Sequence, residues 1–272
     1  MAYDVPGGYK YPSVTNVQKL LDKPWAMPWV AKLASEFLED NYWRVSSGEI
    51  TVSELAEEIK NCYKDVRDEA IDIGKKVHEM IKDYIKAKMN GVENYDPSTG
   101  RWELNDQMQN SFLAFLEWEE KNVDEWLYCE KMLYSNELAL AGTPDAIYRH
   151  KNGKVYLGDW KSSKDIYQSQ FDQAFAYLFM AEERILAGDL KKLKNLEQDY
   201  IFPVIIRLDK KTGMPDHKSL EDIRGGYKKK RFKAKRMWVA LMDYYYKAAD
   251  RRLGANPVCE ALKLEVKSIN SK

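Results

Sequence analysis

Apolar positions along the chain change their spacing several times, and each change marks a predicted element. Upstream, Tyr11-Pro12-Ser13-Val14-Thr15 offers Ser13 or Thr15 as the cap of a short helix through Leu21. A second helical stretch follows from about Trp25 to Tyr42, and both read as docking helices. From Ser53 onward the apolar residues of SELAEEIKNCYKDVRDEAIDIGKKVHEMIKDYIKAK recur every three or four positions up to Asn90-Gly91, which predicts one long amphipathic helix or a broken pair. A further helix is expected from Asn105 to Lys121, with Met108, Phe112, Phe115, Leu116 and Trp118 on its apolar side.

The pattern then shortens to strand-like runs at Trp126 to Tyr134, Leu140 to His150 and Lys154 to Trp160, which predict a meander. Helical spacing returns between Ile166 and Leu186, and the run from Tyr200 to Arg207 reads as a central strand despite Pro203. A last helix is predicted from about Lys229 to Leu253, stopped by Gly254, Asn256 and Pro257. This order predicts an α/β fold: a central mixed β-sheet carrying an antiparallel hairpin, flanked by helices, with helical additions at both ends. The expected organisation is one domain over residues 1–272, with a mainly helical part (1–121), a sheet core (122–210) and a basic C-terminal helical part (211–272).

Composition supports a folded chain. Of 272 residues, 44% are hydrophobic and 32% charged, enough apolar material for a substantial core. No apolar run approaches the ~20 residues that span a bilayer, and the first thirty residues lack a signal-type stretch, so a soluble cytoplasmic protein is expected. Lysine plus arginine equals aspartate plus glutamate at 43 each, so attraction to nucleic acid has to come from local charge. The cysteines, Cys62, Cys129 and Cys259, are scattered and form no CxxC pair. They support neither a disulfide framework nor a four-thiolate zinc or iron–sulfur site.

The stretch AGTPDAIYRHKNGKVYLGDWKSS, Ala141 to Ser163, concentrates the candidate chemistry. Asp159 and Lys161 are two apart on a predicted strand, so they share a face while Trp160 turns to the other. Whether Asp145 joins them depends on register. A two-residue Asn152-Gly153 turn would set Asp145 opposite Trp160 and split the group. A three-residue Lys151-Asn152-Gly153 loop, with Gly153 left-handed, sets His150 opposite Lys154 and Asp145 opposite Asp159. The KNG sequence suits the second register, and the chemistry needs it. Two facing carboxylates repel at Cβ separations of about 4.5–5.5 Å, and a divalent cation between them removes that cost. Oxygen donors of this kind favour Mg²⁺ or Mn²⁺, one or two ions per site, and Lys161 beside them can position or deprotonate a water or stabilise a phosphate.

In the order GTPD, GDWKSS and then Gln173-Ala174-Phe175-Ala176-Tyr177, the chain resembles the PD-(D/E)XK nuclease superfamily, specifically its RecB-type exonuclease branch. Gly74-Lys75-Lys76-Val77-His78 is similar to that branch's upstream G-x-x-x-H helix element, and YPSVT resembles the start of phage-type members. The resemblance covers roughly the first two-thirds of the chain. It implies a DNA nuclease in which His78, Asp145 and Asp159 bind metal, Lys161 assists catalysis, and Gln173 and Tyr177 orient the site or the strand. Glu130, in the preceding strand, is a further candidate metal or water contact, and Gly74 thins the helix face one turn before His78. The third-motif acid is Asp159 rather than glutamate. The cysteine pattern departs from the iron–sulfur members, and no GxxxxGK[ST] segment suggests a helicase.

Ser162 and Ser163 are candidate phosphate contacts, or else a strand end and helix cap. RGGYKKKRFKAKRMW, Arg224 to Trp238, carries eight basic residues and no acid, interleaved with Tyr227, Phe232 and Trp238. Lys228, Lys229, Lys230, Arg231, Lys233, Lys235 and Arg236 are therefore candidate DNA contacts, with Gly225-Gly226 as a flexible entry. The expected activity is Mg²⁺- or Mn²⁺-dependent hydrolysis of DNA, single- or double-stranded, by an exonuclease serving recombination, repair or phage DNA processing. A homo-oligomer or a recombination protein is the expected partner, with no membrane role. A structure-selective or site-specific endonuclease is the rival activity, and a DNA-binding or assembly module without turnover is the rival of another class.

Overall fold

The computed structural model describes residues 2–21, 23–24, 26–92, 95–96, 103–194, 201–219 and 226–253. The predicted roles of Trp25, Tyr200, Arg224, Gly225 and Cys259, and the Gly254–Pro257 helix stop, lie outside the described residues. The chain forms two compact units, residues 21–76 and the remainder.

The first unit contains helix α2 (Ala26–Ser46) and the beginning of helix α3 (Val52–Met89), the first of the two alternatives, one long helix or a broken pair, that the apolar spacing left open. A reciprocal pair of bonds starts α3: the Glu54 carboxylate accepts from Thr51 N–H at 2.7 Å, and Glu54 N–H donates to Thr51 Oγ1 at 3.2 Å. Arg44 ties the two helices by donating to Glu58 at 2.8 Å. None of the α2 residues is fully buried.

In the second unit, a five-stranded mixed sheet has the order β3 (Val123–Cys129), β6 (Ala146–His150), β7 (Val155–Lys161), β8 (Ile201–Leu208), β9 (Pro215–Ser219). The pair β7–β8 is parallel and the others are antiparallel. Strands β4 (Leu133–Ser135) and β5 (Leu140–Gly142) form a separate two-stranded sheet, as do β1 (Ala2–Val5) and β2 (Tyr9–Pro12). The expected continuous runs at 126–134 and 140–150 are thus each broken in two. Glu130 adopts φ 46°, which ends β3, and Pro144 has no N–H to continue a ladder between β5 and β6. Pro203 is tolerated in β8 because the β9 ladder starts only at Val204↔Ser219, so no donor is missed on that side.

Helices cover both faces. Helix α4 (Asp106–Asn122), capped by the Asn105 side chain on Met108 N–H at 2.9 Å, packs Phe115 and Trp118 against Trp126, Tyr148 and Trp160. Glu119 is buried beside these rings and accepts from Tyr84 Oη and Trp126 Nε1, both at 2.8 Å, and from Lys88 Nζ at 2.7 Å. On the opposite face lies α5 (Gln168–Leu186), whose Ala174, Phe175, Leu178 and Ala181 join Leu127, Ile147, Leu157 and Ile205 in the main core. Helix α6 (Tyr227–Leu253) packs on α5, with Trp238 Nε1 donating to Asp172 O at 2.8 Å. The short helix α1 (Val14–Gln18) is capped by Ser13, which accepts from Asn16 N–H at 3.2 Å, and buries Val14 and Val17 in the same core.

Candidate active site

The alternation of β7 decides which side chains meet. Tyr156, Gly158 and Trp160 turn toward α4, while Val155, Leu157, Asp159 and Lys161 turn toward α5. In β6, Tyr148 faces Trp118, and Ile147 opposes Leu157 on the α5 side. The pairing runs Arg149↔Val155 to Ala146↔Gly158, so the next position sets Asp145 opposite Asp159. This is the three-residue-loop register: His150 N–H donates to Lys154 O at 2.8 Å, and Gly153 holds φ 84°. Asp145, Asp159 and Lys161 share one face.

The last turns of α3 supply His78, whose Nδ1 lies 3.0 Å from Asp145 Oδ1. Trp160 N–H donates to Asp145 Oδ2 at 2.7 Å, so the strand backbone fixes the carboxylate. Lys161 Nζ stands 2.5 Å from the buried Asp159 Oδ2, a close ion pair. Burial raises the affinity of both carboxyls for a proton, but their surroundings separate them. Asp145 is held below its ordinary value because His78, Lys161 and the Trp160 N–H outweigh burial. Asp159 is pushed above it, because burial and the Asp145 charge outweigh Lys161. Burial acts to lower the His78 and Lys161 values, yet the facing carboxylates outweigh it and leave both raised.

Gln173 and Tyr177, one turn apart on α5, are buried and joined by a 2.9 Å hydrogen bond from Gln173 Nε2 to Tyr177 Oη. Burial, with the charge of Asp159 second, pushes the Tyr177 phenol well up. The ring passes so close to Gly142 that a Cβ there would lie 2.7 Å from Tyr177 Cε1 and 3.0 Å from Val14 Cγ2. The glycine of GTPD is therefore a packing requirement, while at that of GDWK a Cβ would meet Ile206, Trp160 and Tyr148 at a tight 3.3–3.4 Å.

Glu130 follows β3, and its N–H donates to Asp145 O at 2.9 Å, which sets it beside the acid pair. Its carboxylate is 3.7 Å from Lys82 Nζ. Lys82 also contacts Glu79 Oε2 at 2.5 Å. Lys82 escaped the sequence reading, although its place one turn after His78 on an amphipathic helix is a usable signal. Tyr3, whose Oη lies 3.4 Å from Thr143 Oγ1, carries no such signal, because its strand was not predicted.

Ser163 Oγ donates to Asp165 O at 2.7 Å and accepts from Gln170 Nε2 at 2.9 Å, shaping the turn into α5, while Ser162 is half-buried beside Lys161. Of the basic candidates on α6, Lys228, Lys229, Lys233 and Arg236 are exposed and Lys230 is half-buried. Arg231 pairs with Glu182 and Lys235 with Glu137, each at 2.6 Å. The first turns of α6 line a cavity of about 830 Å³ with Phe179, Phe202 and Phe232. Phe202 pairs with Tyr156 near the start of β7, whereas Asp159 and Lys161 close that strand, roughly 10 Å further along. The structure thus gathers His78, Glu130, Asp145, Asp159, Lys161, Gln173 and Tyr177, and it sets the α6 cavity, whose lining balances Lys228, Arg231 and Lys235 with Glu137, Glu182 and Glu183, apart from them.

A hard cation suits this donor set. The buried Asp159 carboxylate and the half-buried Asp145 carboxylate share a face, with the His78 imidazole beside them. The groups are held in pairs, His78 with Asp145 and Lys161 with Asp159, and among the described residues no trio already converges as a closed cage. His78, Asp145 and Asp159 are the residues that would hold such an ion.

Among the described residues, no helix is long and apolar enough to cross a membrane. No protein-family model matches the chain, and no curated protein matches it either.

Proposed function

We propose that the chain is a Mg²⁺- or Mn²⁺-dependent DNA nuclease, working as an exonuclease in the cytoplasm on recombination, repair or phage DNA intermediates. The observation that carries this reading is the placement of Asp145 and Asp159 as cross-strand neighbours with Lys161 on the same face. Facing carboxylates burden a hairpin unless something positive lies between them, and phosphodiester hydrolysis needs such a centre. A bound ion supplies Lewis acidity toward a phosphate oxygen and an acidified water.

The protein's own groups do the rest. Trp160 N–H holds Asp145 in orientation, and the 2.9 Å Gln173–Tyr177 bond fixes the wall that α5 presents to the site. The Lys161 ammonium offers donors to a phosphate oxygen, where charge accumulates during displacement. Glu130 is a further contact for the ion or its water, and the exposed Lys228, Lys229, Lys233 and Arg236 extend the binding surface by neutralising backbone phosphates away from the scissile bond. A homo-oligomer is compatible with this use of DNA and is proposed as the partner arrangement.

The test is incubation of end-labelled linear DNA, single- and double-stranded, with Mg²⁺ or Mn²⁺ beside a covalently closed circular control. Loss of the linear substrates with the circle intact supports the exonuclease. Cutting of the circle assigns an endonuclease on the same site, and no cleavage under any of these conditions rejects the nuclease reading.

A further inference from the structure

The outward side of α6 carries a pattern that packing does not explain. Ala234, Trp238, Met242 and Tyr246 recur every four residues and are buried in the main core, which accounts for the inner side. The opposite side exposes Lys228, Lys229, Phe232, Lys233, Arg236 and Tyr244. The Phe232 ring is 63% exposed and that of Tyr244 61%. Phe232 is one turn from Lys228, Lys229 and Arg236, so the ring sits within a cationic face, and the Arg236 guanidinium carbon lies 5.8 Å from its centroid. The helical rise sets Phe232 and Tyr244 ~18 Å apart along the axis. Acids packed nearby are already neutralised: Glu182 by Arg231 and Glu137 by Lys235, each at 2.6 Å, Glu183 by Arg184 at 2.9 Å, and Asp243 by Lys247 at 2.5 Å. Among the described residues, Lys228, Lys229, Lys233 and Arg236 have no carboxylate partner.

Surplus positive charge on one helix face suits a polyanion, and exposed rings among the cations suit a ligand that also presents flat apolar faces. A duplex meets the first condition but keeps its base faces stacked inside, whereas an unpaired strand meets both. We propose that the outward face of α6 binds single-stranded DNA, with bases stacked on Phe232 and Tyr244 and phosphates on Lys228, Lys229, Lys233 and Arg236. The inference rests on the nuclease reading and names the form of DNA that it takes. Helix α6 packs on α5, on the side of the sheet toward which Asp159 and Lys161 turn, so the strand is held on the same side as the acids.

Fluorescence anisotropy of labelled oligothymidylate and of a blunt duplex of equal length, with the full chain in EDTA, reads binding apart from cleavage. The unmodified protein should bind the single strand more tightly than the duplex. Phe232→Ala should weaken the single strand at least ~5-fold, the scale of one lost base–aromatic stack, and the duplex less than ~2-fold, and Tyr244→Ala should do the same. Phe232→Trp should keep single-strand affinity. Lys233→Gln should instead weaken both forms and lower the single-strand salt slope by about 0.7, a slope that Phe232→Ala leaves unchanged. A duplex bound as tightly as the single strand, an equal loss or no loss for both forms in Phe232→Ala, or no binding by the unmodified protein overturns the inference. Cleavage of linear DNA with Mg²⁺, measured on the same samples, judges the nuclease reading separately. Cleavage beside a negative binding result leaves that reading standing, and the expected binding without cleavage removes the nuclease and keeps the single-strand face.

Discussion

Asp145 Oδ2 accepts the N–H of Trp160, the residue between Asp159 and Lys161, at 2.7 Å. One carboxylate thereby closes the β6–β7 ladder and is fixed against the strand that bears its partner. Because Asp145 is held by the Trp160 backbone and not by Asp159 or Lys161, removing either of those side chains leaves the hairpin intact. Asp159→Ala and Lys161→Ala are each expected to lower Mg²⁺-dependent cleavage at least ~10²–10³-fold, the scale for losing an electrostatic stabiliser of the transition state. Circular dichroism should stay native. Undiminished cleavage by either purified variant would end the assignment.

The glycine of GTPD makes a separate prediction. At Gly142 the added methyl of Gly142→Ala would sit 2.7 Å from Tyr177 Cε1 and 3.0 Å from Val14 Cγ2, inside a core with no slack. Overpacking of this kind costs about 1–3 kcal/mol. Urea unfolding should show that loss, and pairing the change with Tyr177→Leu should recover much of it. A fully stable single variant would mean the close approach is not real.

The hairpin was legible because two local rules agree on it. Lys151-Asn152-Gly153 supplies a glycine where φ 84° is needed, and the period of two then carries every side chain to its face. Helices α3, α4 and α5 were legible from their apolar stripes, and Asn105 capped α4 at the expected start. Strands β1, β2 and β9 were not. Pro215-Asp-His-Lys-Ser219 has almost no apolar content, and it is a strand only because β8 offers an unpaired edge. For the site, residue identities and order were readable, whereas Lys82 became visible only when Glu130 was placed beside it. The basic segment read as a uniform phosphate track, but folding engages Arg231 with Glu182 and Lys235 with Glu137, carboxylates too far along the chain for sequence spacing to pair.

Cys129 ends β3 with its thiol half-buried, and burial, reinforced by the charge of Glu130, pushes its pKa up to about 12. At pH 8 only about one such thiol in 10⁴ is a thiolate, and thiolate is the form that reacts. Cys129 in the native protein should therefore resist iodoacetamide at pH 8 and label readily in urea, read by peptide mass mapping. Fast native labelling would show a different environment.

The β8–β9 turn carries a pH-dependent element of stability. Asp209 accepts from Arg207 Nη1 at 2.9 Å and from the N–H groups of Lys211 at 2.8 Å and Thr212 at 3.2 Å. Arg207 first, then the backbone donors, lower its carboxyl to about 2. Because the folded value lies below the unfolded one, the contribution is complete above the unfolded pKa of about 4 and fades as pH falls toward the folded value. With the side chain 24% exposed and partly screened, that contribution is about 1–2 kcal/mol. Asp209→Asn should therefore be less stable than the unmodified protein by that amount at pH 7 in urea, with the gap closing by about pH 2. A gap that persists unchanged at low pH would show that the turn relies on the Asp209 side chain's shape and not on its charge.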